Sequence, residues 1–175
     1  MIIVPLFIMV VAAFLSLTTI FRHSKHGQYL NYVLRHKWFV FLAGLKLGAP
    51  IHQLIIHDWT KFLPSEWFPY VENFYGGKSK IADIVQLEFE YAWNHHQKRQ
   101  PHHWQYWLLT MDSGETLPLE IPERFVREMV ADWMGAGRAL GKPNTIEWYL
   151  YNKKKIILHP DTRVRVEELL EEKAW

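Results

Sequence analysis

Apolar and polar positions along the chain alternate mainly with the period of an α-helix. From residue 24 to 47, apolar side chains recur closer to every 3.6 residues than to every second residue, which predicts a helix that ends at Gly48-Ala49-Pro50. Further predicted helices cover about 50–58, a short stretch from Ser65 and Glu66 after Pro64, 81–96, 101–110, 122–140, and two shorter segments opened by Asn144 and Asp161. Residues 111–120 are predicted to be a polar loop, and no segment carries a convincing β-hairpin signal. The predicted fold class is therefore all-α, with one domain.

The N-terminal apolar segment is long enough to cross a membrane. Residues 2–21 contain no charged side chain, and a helix of this length, rising ~1.5 Å per residue, would span the ~30 Å hydrocarbon layer. Arg22, His23 and Lys25 follow the segment instead of preceding it, which favours an uncleaved anchor over a cleaved signal peptide or a buried core helix. The sequence thus predicts a single-pass membrane protein, with residues 1–22 as the anchor and residues 23–175 as a cytoplasmic helical domain.

The composition restricts the chemistry of any metal site. The 175 residues include no cysteine, so a metal must be held by histidine nitrogen and carboxylate oxygen. Lysine and arginine nearly balance aspartate and glutamate, and the basic run at 153–155 is most simply a solvated face near a helix end. Nucleic-acid binding is therefore not expected.

An adjacent imidazole and carboxylate, His57 and Asp58, lie at the end of an apolar helix in "IIHDWTKF", with Lys61 one turn after His57. Neighbouring side chains lie about 100° apart around a helix, so both reach one metal only if it lies off that edge. Mixed nitrogen and oxygen ligation suits Mn, Fe, Co, Ni or Zn better than Ca or Mg. The alternative is a helix end at which His57 caps carbonyl groups and Asp58 pairs with Lys61.

Two further candidate ligands lie on other predicted helices. His36 lies in the first one, in "LRHKW", and Asp132 lies on or beside the core face of the helix over 122–140. A carboxylate beside an apolar stripe is costly unless it is paired or binds a metal, and the alternative partners for Asp132 are a basic side chain or a tryptophan N–H. Glu128, one turn earlier, is predicted to lie at the surface or to support a ligand.

The order of these residues resembles the H…HD…D pattern of the HD-domain superfamily, all-helical metal-dependent phosphohydrolases. More closely, "HK" at 36, "HDWTKF", "HH", "HHWQYW" and "EMVADW" resemble a small family of uncharacterised bacterial and phage proteins, from about His26 to the C-terminus. The resemblance implies an HD-domain-like helical bundle. The implied ligands of a first metal are His36, His57, Asp58 and Asp132. Members with additional histidines between HD and the last Asp hold a second metal there, and the histidines in that interval are His95, His96, His102 and His103.

The segment "WNHHQKRQPHHW" at 93–104 contains two histidine pairs, seven positions apart. If it folds as two helices around a tight turn at "QKRQ", one histidine of each pair faces the same cleft and its neighbour points about 100° away. The prediction takes His96 and His103 as metal ligands, and His95 and His102, together with Lys61, as groups that contact substrate or transfer a proton. The alternative is that the histidines cap helix ends and that tryptophans 93, 104 and 107 pack around them as plain core.

The resemblance implies a metal-dependent phosphohydrolase that uses one or two divalent transition-metal ions, Mn, Fe, Co, Ni or Zn. Lys61, or Arg99 from the basic turn, would neutralise phosphate charge. Expected partners are a membrane, bound through residues 2–21, a phosphate-containing small molecule such as a nucleotide, and a membrane protein. Two alternatives stay open: di-iron oxidation with O₂, as in some HD-fold proteins, and a non-catalytic, membrane-anchored accessory subunit with a structural metal site.

Overall fold

The computed structural model describes Thr19, residues 21–77 and residues 82–173, and this part of the chain is mostly helical. Its α-helices are α1 (Lys25–Leu47), α2 (Ile51–Ile56), α3 (Pro64–Tyr75), α4 (Ala82–Arg99), α5 (Glu123–Ala139), α6 (Thr145–Asn152) and α7 (Pro160–Lys173). Two 3₁₀ turns lie at Trp59–Phe62 and Trp104–Trp107, and two short strands are β1 (Leu108–Thr110) and β2 (Thr116–Pro118). The predicted helical class is confirmed, with one hairpin in addition.

The helix α1 begins and ends where its sequence supplies caps. The Ser24 Oγ accepts a hydrogen bond from the Gly27 N–H at 3.1 Å and so satisfies a free donor of the first turn. At the other end Gly48 takes φ 73°, and its N–H donates to the carbonyl oxygens of Gly44 and Leu45. Glycine reaches this left-handed conformation at little cost, so the helix ends where the sequence predicts.

Close contact between α1 and α5 is the central helix pairing of the domain. A Cβ atom placed on Gly135 would lie 2.4 Å from Val40 Cγ2 and 2.6 Å from the Val40 backbone nitrogen, so only glycine permits this approach. Val40 lies one turn after His36, and Gly135 lies three residues after Asp132. The contact therefore sets the spacing between two candidate ligands.

In the described part of the chain, the hydrophobic core consists of two clusters that share α1. The larger cluster joins the C-terminal half of α1 to α5 and α7, and the smaller one joins its N-terminal half to α3 and α4. His36 lies on the same buried face of α1, between Val33 of the smaller cluster and Val40 of the larger. The candidate ligands thus collect between the two apolar clusters.

The helix predicted over 101–110 is wrong, and the loop predicted over 111–120 is interrupted by a strand at Thr116–Pro118. Residues 101–103 form a turn and a bend, and β1 pairs with β2 in antiparallel register, with Leu109 opposite Leu117. Thr110 and Thr116 favour extended backbone, and Gly114, at φ 86°, allows the tight turn between the strands. The apolar run before this turn is too short for its periodicity to distinguish a helix from a turn followed by a strand.

The two C-terminal caps have different outcomes. The Asn144 Oδ1 accepts a hydrogen bond from the Glu147 N–H at 3.1 Å, as the capping pattern predicts. The last helix begins at Pro160, before the predicted cap, so Asp161 lies in its first turn and does not cap it.

The anchor predicted for residues 2–21 lies almost entirely outside the described residues, and it stays a prediction together with the division at residue 22. Among the residues that are described, no helix is both long enough and apolar enough to cross a membrane.

Candidate metal centre

The helix α2 ends immediately before the adjacent candidate ligands. The backbone of His57 leaves the helical conformation, with φ −46° and ψ 128°, and Asp58 takes the left-handed conformation at φ 55°. This conformation costs an ordinary residue about 1–2 kcal/mol, and aspartate is among the residues that tolerate it best. The Lys37 ammonium donates to the His57 carbonyl and so holds the turn. Because the turn is not helical, the predicted 100° separation does not apply, and both side chains reach the same buried space.

The first group of candidate ligands joins residues from three segments: His36 from α1, His57 and Asp58 from the turn after α2, and Asp132 from α5. One ligand atom of each lies within 4.8 Å of all the others. The His36 Nε2 is 3.1 Å from Asp58 Oδ2 and 3.2 Å from Asp132 Oδ1. The His57 Nε2 is 3.4 Å from each of these two oxygens. This mixed set of nitrogen and oxygen atoms could hold a metal ion.

The second group consists of Asp58 again, with His96 from α4 and with His102 and His103 from the bend that follows. The Nε2 atoms of His96 and His102 lie 3.3 and 3.4 Å from Asp58 Oδ1. Among the described residues, Asp58 Oδ1 and the three Nε2 atoms are buried and have no hydrogen-bond partner. Buried polar atoms are nearly always paired, so four unpaired ligand atoms that converge in this way fit a metal ion.

Asp58 connects the two groups, because its Oδ2 lies in the first and its Oδ1 in the second. Burial alone would raise the pKa of this carboxyl. Attraction to His57 and Lys61, with the nearby His102 imidazole and a hydrogen bond from His36, instead holds the pKa well below its usual range. The side chain is therefore an ionised carboxylate with one oxygen available to each of two ions.

Two buried glutamates contact the candidate ligands from behind. On α3, the Glu66 Oε2 lies 2.8 Å from His96 Nδ1, and on α5 the Glu128 Oε1 lies 3.0 Å from His57 Nδ1. Gln53 Nε2 donates to the other Glu128 oxygen at 3.0 Å. Carboxylates in this position fix the tautomer and the ring orientation of metal-binding histidines, which leaves Nε2 for the metal. The sequence predicted a supporting role for Glu128 as one of two options, and it gave no role in the site to Glu66.

The bend at 101–103 is held by side chains from the turns on either side. Trp107 Nε1 donates to the Pro101 carbonyl at 2.7 Å, and Gln100 Nε2 donates to Thr60 Oγ1 at 2.9 Å. Because the bend is not helical, His102 and His103 do not diverge as neighbours on a helix would, and both are buried in the second group. The prediction that one member of this pair points away is therefore not met.

The first histidine pair follows the geometry of the helix. His95 and His96 both lie in α4, where neighbouring side chains diverge by about 100°. His96 is fully buried in the second group, whereas His95 is exposed and borders a surface depression with Glu88 and Tyr91. Of the residues predicted for the site, the structure leaves out His95 and brings together His36, His57, Asp58, Lys61, His96, His102, His103 and Asp132.

The imidazoles differ in the charge state that their surroundings favour. Burial by itself would lower the pKa of His36, His96 and His102, but the carboxylates that surround these rings raise it, in His102 to about 10. Burial, with the charge of neighbouring His102, holds the pKa of His103 well below its usual range. In the absence of metal, protonation of His36, His96 and His102 is therefore favoured, and these protons compete with a metal for the same nitrogen atoms.

A cavity of about 350 Å³ is bordered by His36 and Asp132 of the first group, by His103 of the second and by Lys61. We call it the aromatic cavity, because its walls include Tyr32, Tyr70, Phe74, Tyr75, Phe89 and Trp93. Lys61 Nζ lies 2.6 Å from Asp58 Oδ2, so the pairing considered as an alternative to metal ligation occurs together with the ligand geometry. Burial would lower the pKa of Lys61, but the carboxylates of Asp58 and Asp132 raise it, so the side chain is a cation.

A second cavity, of about 730 Å³, lies behind the two groups. Its lining includes His57, His102, Glu128 and Arg99. Glu128 Oε1 lies 3.0 Å from the Nδ1 of His57 and 3.3 Å from that of His102, so this cavity meets the rings on the side away from their ligand atoms. Arg99, predicted as an alternative to Lys61 for contacting phosphate, therefore borders a different cavity from Lys61.

Comparison with known proteins assigns a family. No curated protein and no solved structure matches the chain. A family model described as "Family of unknown function (DUF5662)" matches residues 25–172. The matched range includes all residues of both ligand groups. Its buried histidines and aspartates form two groups that could hold metal ions. The chain therefore belongs to the DUF5662 family.

Proposed function

We propose that the protein is a metal-dependent phosphohydrolase that acts on a phosphomonoester or a phosphodiester. The observation that carries the proposal is the position of Asp58 between two buried ligand groups, with one oxygen in each. Paired divalent ions are a common arrangement in enzymes that hydrolyse phosphate esters. The order His36, His57-Asp58, Asp132 also resembles the HD-domain pattern, which supports the same class of reaction.

The residues around the aromatic cavity have the properties that such a reaction needs. A bound divalent ion would supply Lewis-acid polarisation of the phosphate and activation of a water. Lys61 has N–H groups beyond the one directed at Asp58, and these can donate to phosphate oxygens. His103 is a neutral imidazole, since its pKa is lowered, and can bind a metal or accept a proton. The aromatic walls would hold the organic part of the ester and exclude water.

The proposal is tested by metal analysis and a screen of phosphate esters on the full-length protein. We expect the wild type to contain a transition metal and to hydrolyse at least one ester. His57→Ala removes a ligand of the first group, so we expect it to lose metal and to lower kcat/KM by about a hundredfold or more. His95→Ala is the matched control, because this exposed histidine lies outside both groups, and we expect it to keep both properties.

Circular dichroism of the two variants shows whether they fold, which separates loss of a ligand from loss of structure. Equal metal content in the wild type and in folded His57→Ala would contradict the metal site. Loss of metal in His57→Ala, without phosphoesterase activity in the wild type, would contradict the hydrolase and favour a non-catalytic accessory role.

A second candidate function is oxidation with O₂ at a di-iron centre. The observation in its favour is the second group, in which three imidazoles accompany a single carboxylate, since imidazole ligands suit iron as well as zinc, copper and nickel. Protein purified without added metal distinguishes the two functions. Stoichiometric iron with a visible absorption band and O₂ consumption favours the oxygenase, whereas another divalent metal with phosphoesterase activity favours the hydrolase.

We also propose that residues 2–21 anchor the domain to a membrane, with the domain in the cytoplasm. The support is the uncharged sequence of the segment and the basic residues that follow it, Arg22 and Lys25. Val11→Arg would place a charge at the centre of this segment at a cost of about 2.5–3.5 kcal/mol. We expect it to move the protein to the soluble fraction after a high-salt wash, and Val11→Leu to leave it in the membrane fraction. Membrane retention of both variants would contradict the anchor.

A further inference from the structure

We propose that an exposed apolar face on α1 and α2 docks the domain onto the surface of an anionic lipid bilayer. On α1, Leu34, Trp38 and Leu45 are exposed and Phe41 is partly buried. At about 100° per residue, these four side chains lie within an arc of about 60°, roughly opposite the buried face of α1, and Phe41 at one edge of the arc also packs against the larger core cluster. Trp38 is 58% exposed, and its ring stacks on Phe41. The helix therefore has a second apolar face, on which Leu34, Trp38 and Leu45 are about half exposed among the described residues.

The short helix α2 extends this surface. Ile51 and Ile55, one turn apart, are 57% and 63% exposed. The two helices are in contact along the edge of the α1 stripe, because Gly44 packs against Leu54 and the Lys37 ammonium donates to the Ile55 carbonyl. Together they form what we call the docking face: Leu34, Trp38, Phe41, Leu45, Ile51 and Ile55.

The segment that carries the docking face is rich in basic side chains. Residues 21–62 include six lysines and arginines and a single carboxylate, Asp58. Asp58 is fully buried in the candidate metal centre. Arg35 and Lys46 are exposed beside the stripe on one side, and Lys37 lies on the other. The docking face is therefore apolar at its centre and basic at its edges.

This combination fits an anionic bilayer better than a second copy of the chain. Two copies that met through this face would bring Arg35 and Lys37 of each together without an exposed carboxylate from α1 or α2 to pair with them. Anionic headgroups pair with lysine and arginine, while tryptophan, leucine and isoleucine enter the boundary between headgroups and acyl chains. The face also begins shortly after the uncharged segment 2–21, so both features lie at the same end of the sequence.

Docking through this face would leave the aromatic cavity open to water. Tyr32 and His36 border that cavity and lie on α1 roughly 150° or more from the centre of the exposed stripe. A docked domain would therefore receive a water-soluble substrate, an expectation that rests on the phosphohydrolase proposed above. The docking itself does not depend on that activity.

The test uses the absence of cysteine, which allows one fluorescent label per full-length chain. Trp38→Cys and Ile55→Cys place an environment-sensitive label on the docking face. Leu150→Cys is the matched control, since Leu150 lies on α6 and is 57% exposed, almost the same as Trp38. Each protein is reconstituted with phosphatidylcholine vesicles, with or without phosphatidylserine, that contain a quencher-bearing lipid. Circular dichroism confirms that each labelled variant folds.

We expect lipid quenching at positions 38 and 55 to exceed that at 150 several-fold with phosphatidylserine, and to fall without it. Arg35→Gln combined with Lys46→Gln should lower the ratio of docked to undocked domain by roughly fivefold for each charge removed. The labels report the position of the domain, so the result does not depend on insertion of residues 2–21. Equal quenching at 38 and 150, or no dependence on phosphatidylserine, overturns the proposal. If the labels at positions 38 and 55 instead report an apolar environment that grows with protein concentration in the absence of lipid, the proposal is overturned in favour of a second copy of the chain.

Discussion

The orientation of His96 depends on the nitrogen that faces away from the ligand group. Its Nδ1 is held by Glu66, which is fully buried on α3, while its Nε2 lies 3.3 Å from Asp58 Oδ1. The carboxylate both aims the ring and increases its basicity, so it acts on the metal without touching it.

Glu66→Gln should weaken metal binding at the second group by about 10–100-fold, because the amide can still accept the hydrogen bond but carries no charge. Competition with a chromogenic chelator measures the affinity. Glu88→Gln on the exposed side of α4 is the control, and we expect it to bind metal as the wild type does. Equal affinity in both variants would show that the charge of Glu66 has no such role.

Metal affinity should rise with pH. The pKa values of His36, His96 and His102 are raised, so in the metal-free protein their protonated forms persist above the usual imidazole range, in His102 up to about pH 10. A metal binds only the deprotonated nitrogen, so binding must release protons and is favoured as pH rises through these values. Zinc titrations at pH 6, 7 and 8 would show the increase, and calorimetry in buffers of different ionisation enthalpy would count the protons released. Affinity independent of pH would contradict the assignment of these rings as ligands.

The sequence could predict His36, His57, Asp58 and Asp132 because their order and types resemble a known pattern. It could not predict that both His102 and His103 point inward, because a backbone bend held by Trp107 and Gln100 determines this. Glu66 was missed for a different reason: a glutamate in the first turn of a helix is ordinary. One local signal was available, since Glu66 and Tyr70 lie on the same buried face of α3.

At the scale of helices, the distance between α1 and α5 determines the distance between the side chains of His36 and Asp132. Gly135→Ala should push the helices apart, because its Cβ would lie 2.6 Å from the Val40 backbone nitrogen, which cannot rotate away. We expect a loss of about 1–3 kcal/mol in the free energy of unfolding, typical of an overpacked core, together with weaker metal binding. Urea denaturation and a metal titration measure the two effects.

Val40→Ala in the Gly135→Ala background supplies the control. It removes the contact with Val40 Cγ2 but not the one with the backbone nitrogen, so it should restore stability only in part. Metal affinity unchanged in Gly135→Ala, despite a loss of stability, would show that the helix spacing does not control the site.

The sequence predicted the long helices well because each carries several turns of periodic apolar residues and recognisable caps. In α1, Ser24 and Gly48 mark the two ends, and in α6 Asn144 marks the start. The hairpin was missed because each strand has only three residues and the turn, around Gly114, has no strong two-residue signature. Short elements therefore depended on tertiary contacts that the local pattern does not contain.

At the scale of the molecule, the candidate metal centre lies between the two apolar clusters and contains closely spaced buried charges. A metal that binds only the folded chain stabilises it by about 4 kcal/mol at a thousandfold excess over Kd. For a chain of this size, about 2–4 °C per kcal/mol gives a Tm roughly 10 °C lower after chelation. Calorimetry with and without EDTA, and after zinc is restored, tests this. If the Tm does not change in protein that has been shown to lose its metal, the metal does not stabilise the domain by linking the two clusters.

The cavities show most clearly what the sequence left undetermined. The aromatic side chains of the aromatic cavity come from α1, α3 and α4, and no spacing along the chain indicates that they meet. Periodic aromatic residues are usually core, so their convergence on Lys61 and Asp132 becomes visible only once the helices are packed.

Two independent requirements meet at Asp58. The left-handed backbone at this turn is best tolerated by glycine, asparagine and aspartate. A charge shared between two ligand groups, one oxygen to each, needs a carboxylate, which only aspartate and glutamate provide. The two sets have one amino acid in common. Every substitution at position 58 therefore loses one of the two properties. Asparagine would keep the turn and lose the charge, and glutamate would keep the charge and strain the turn.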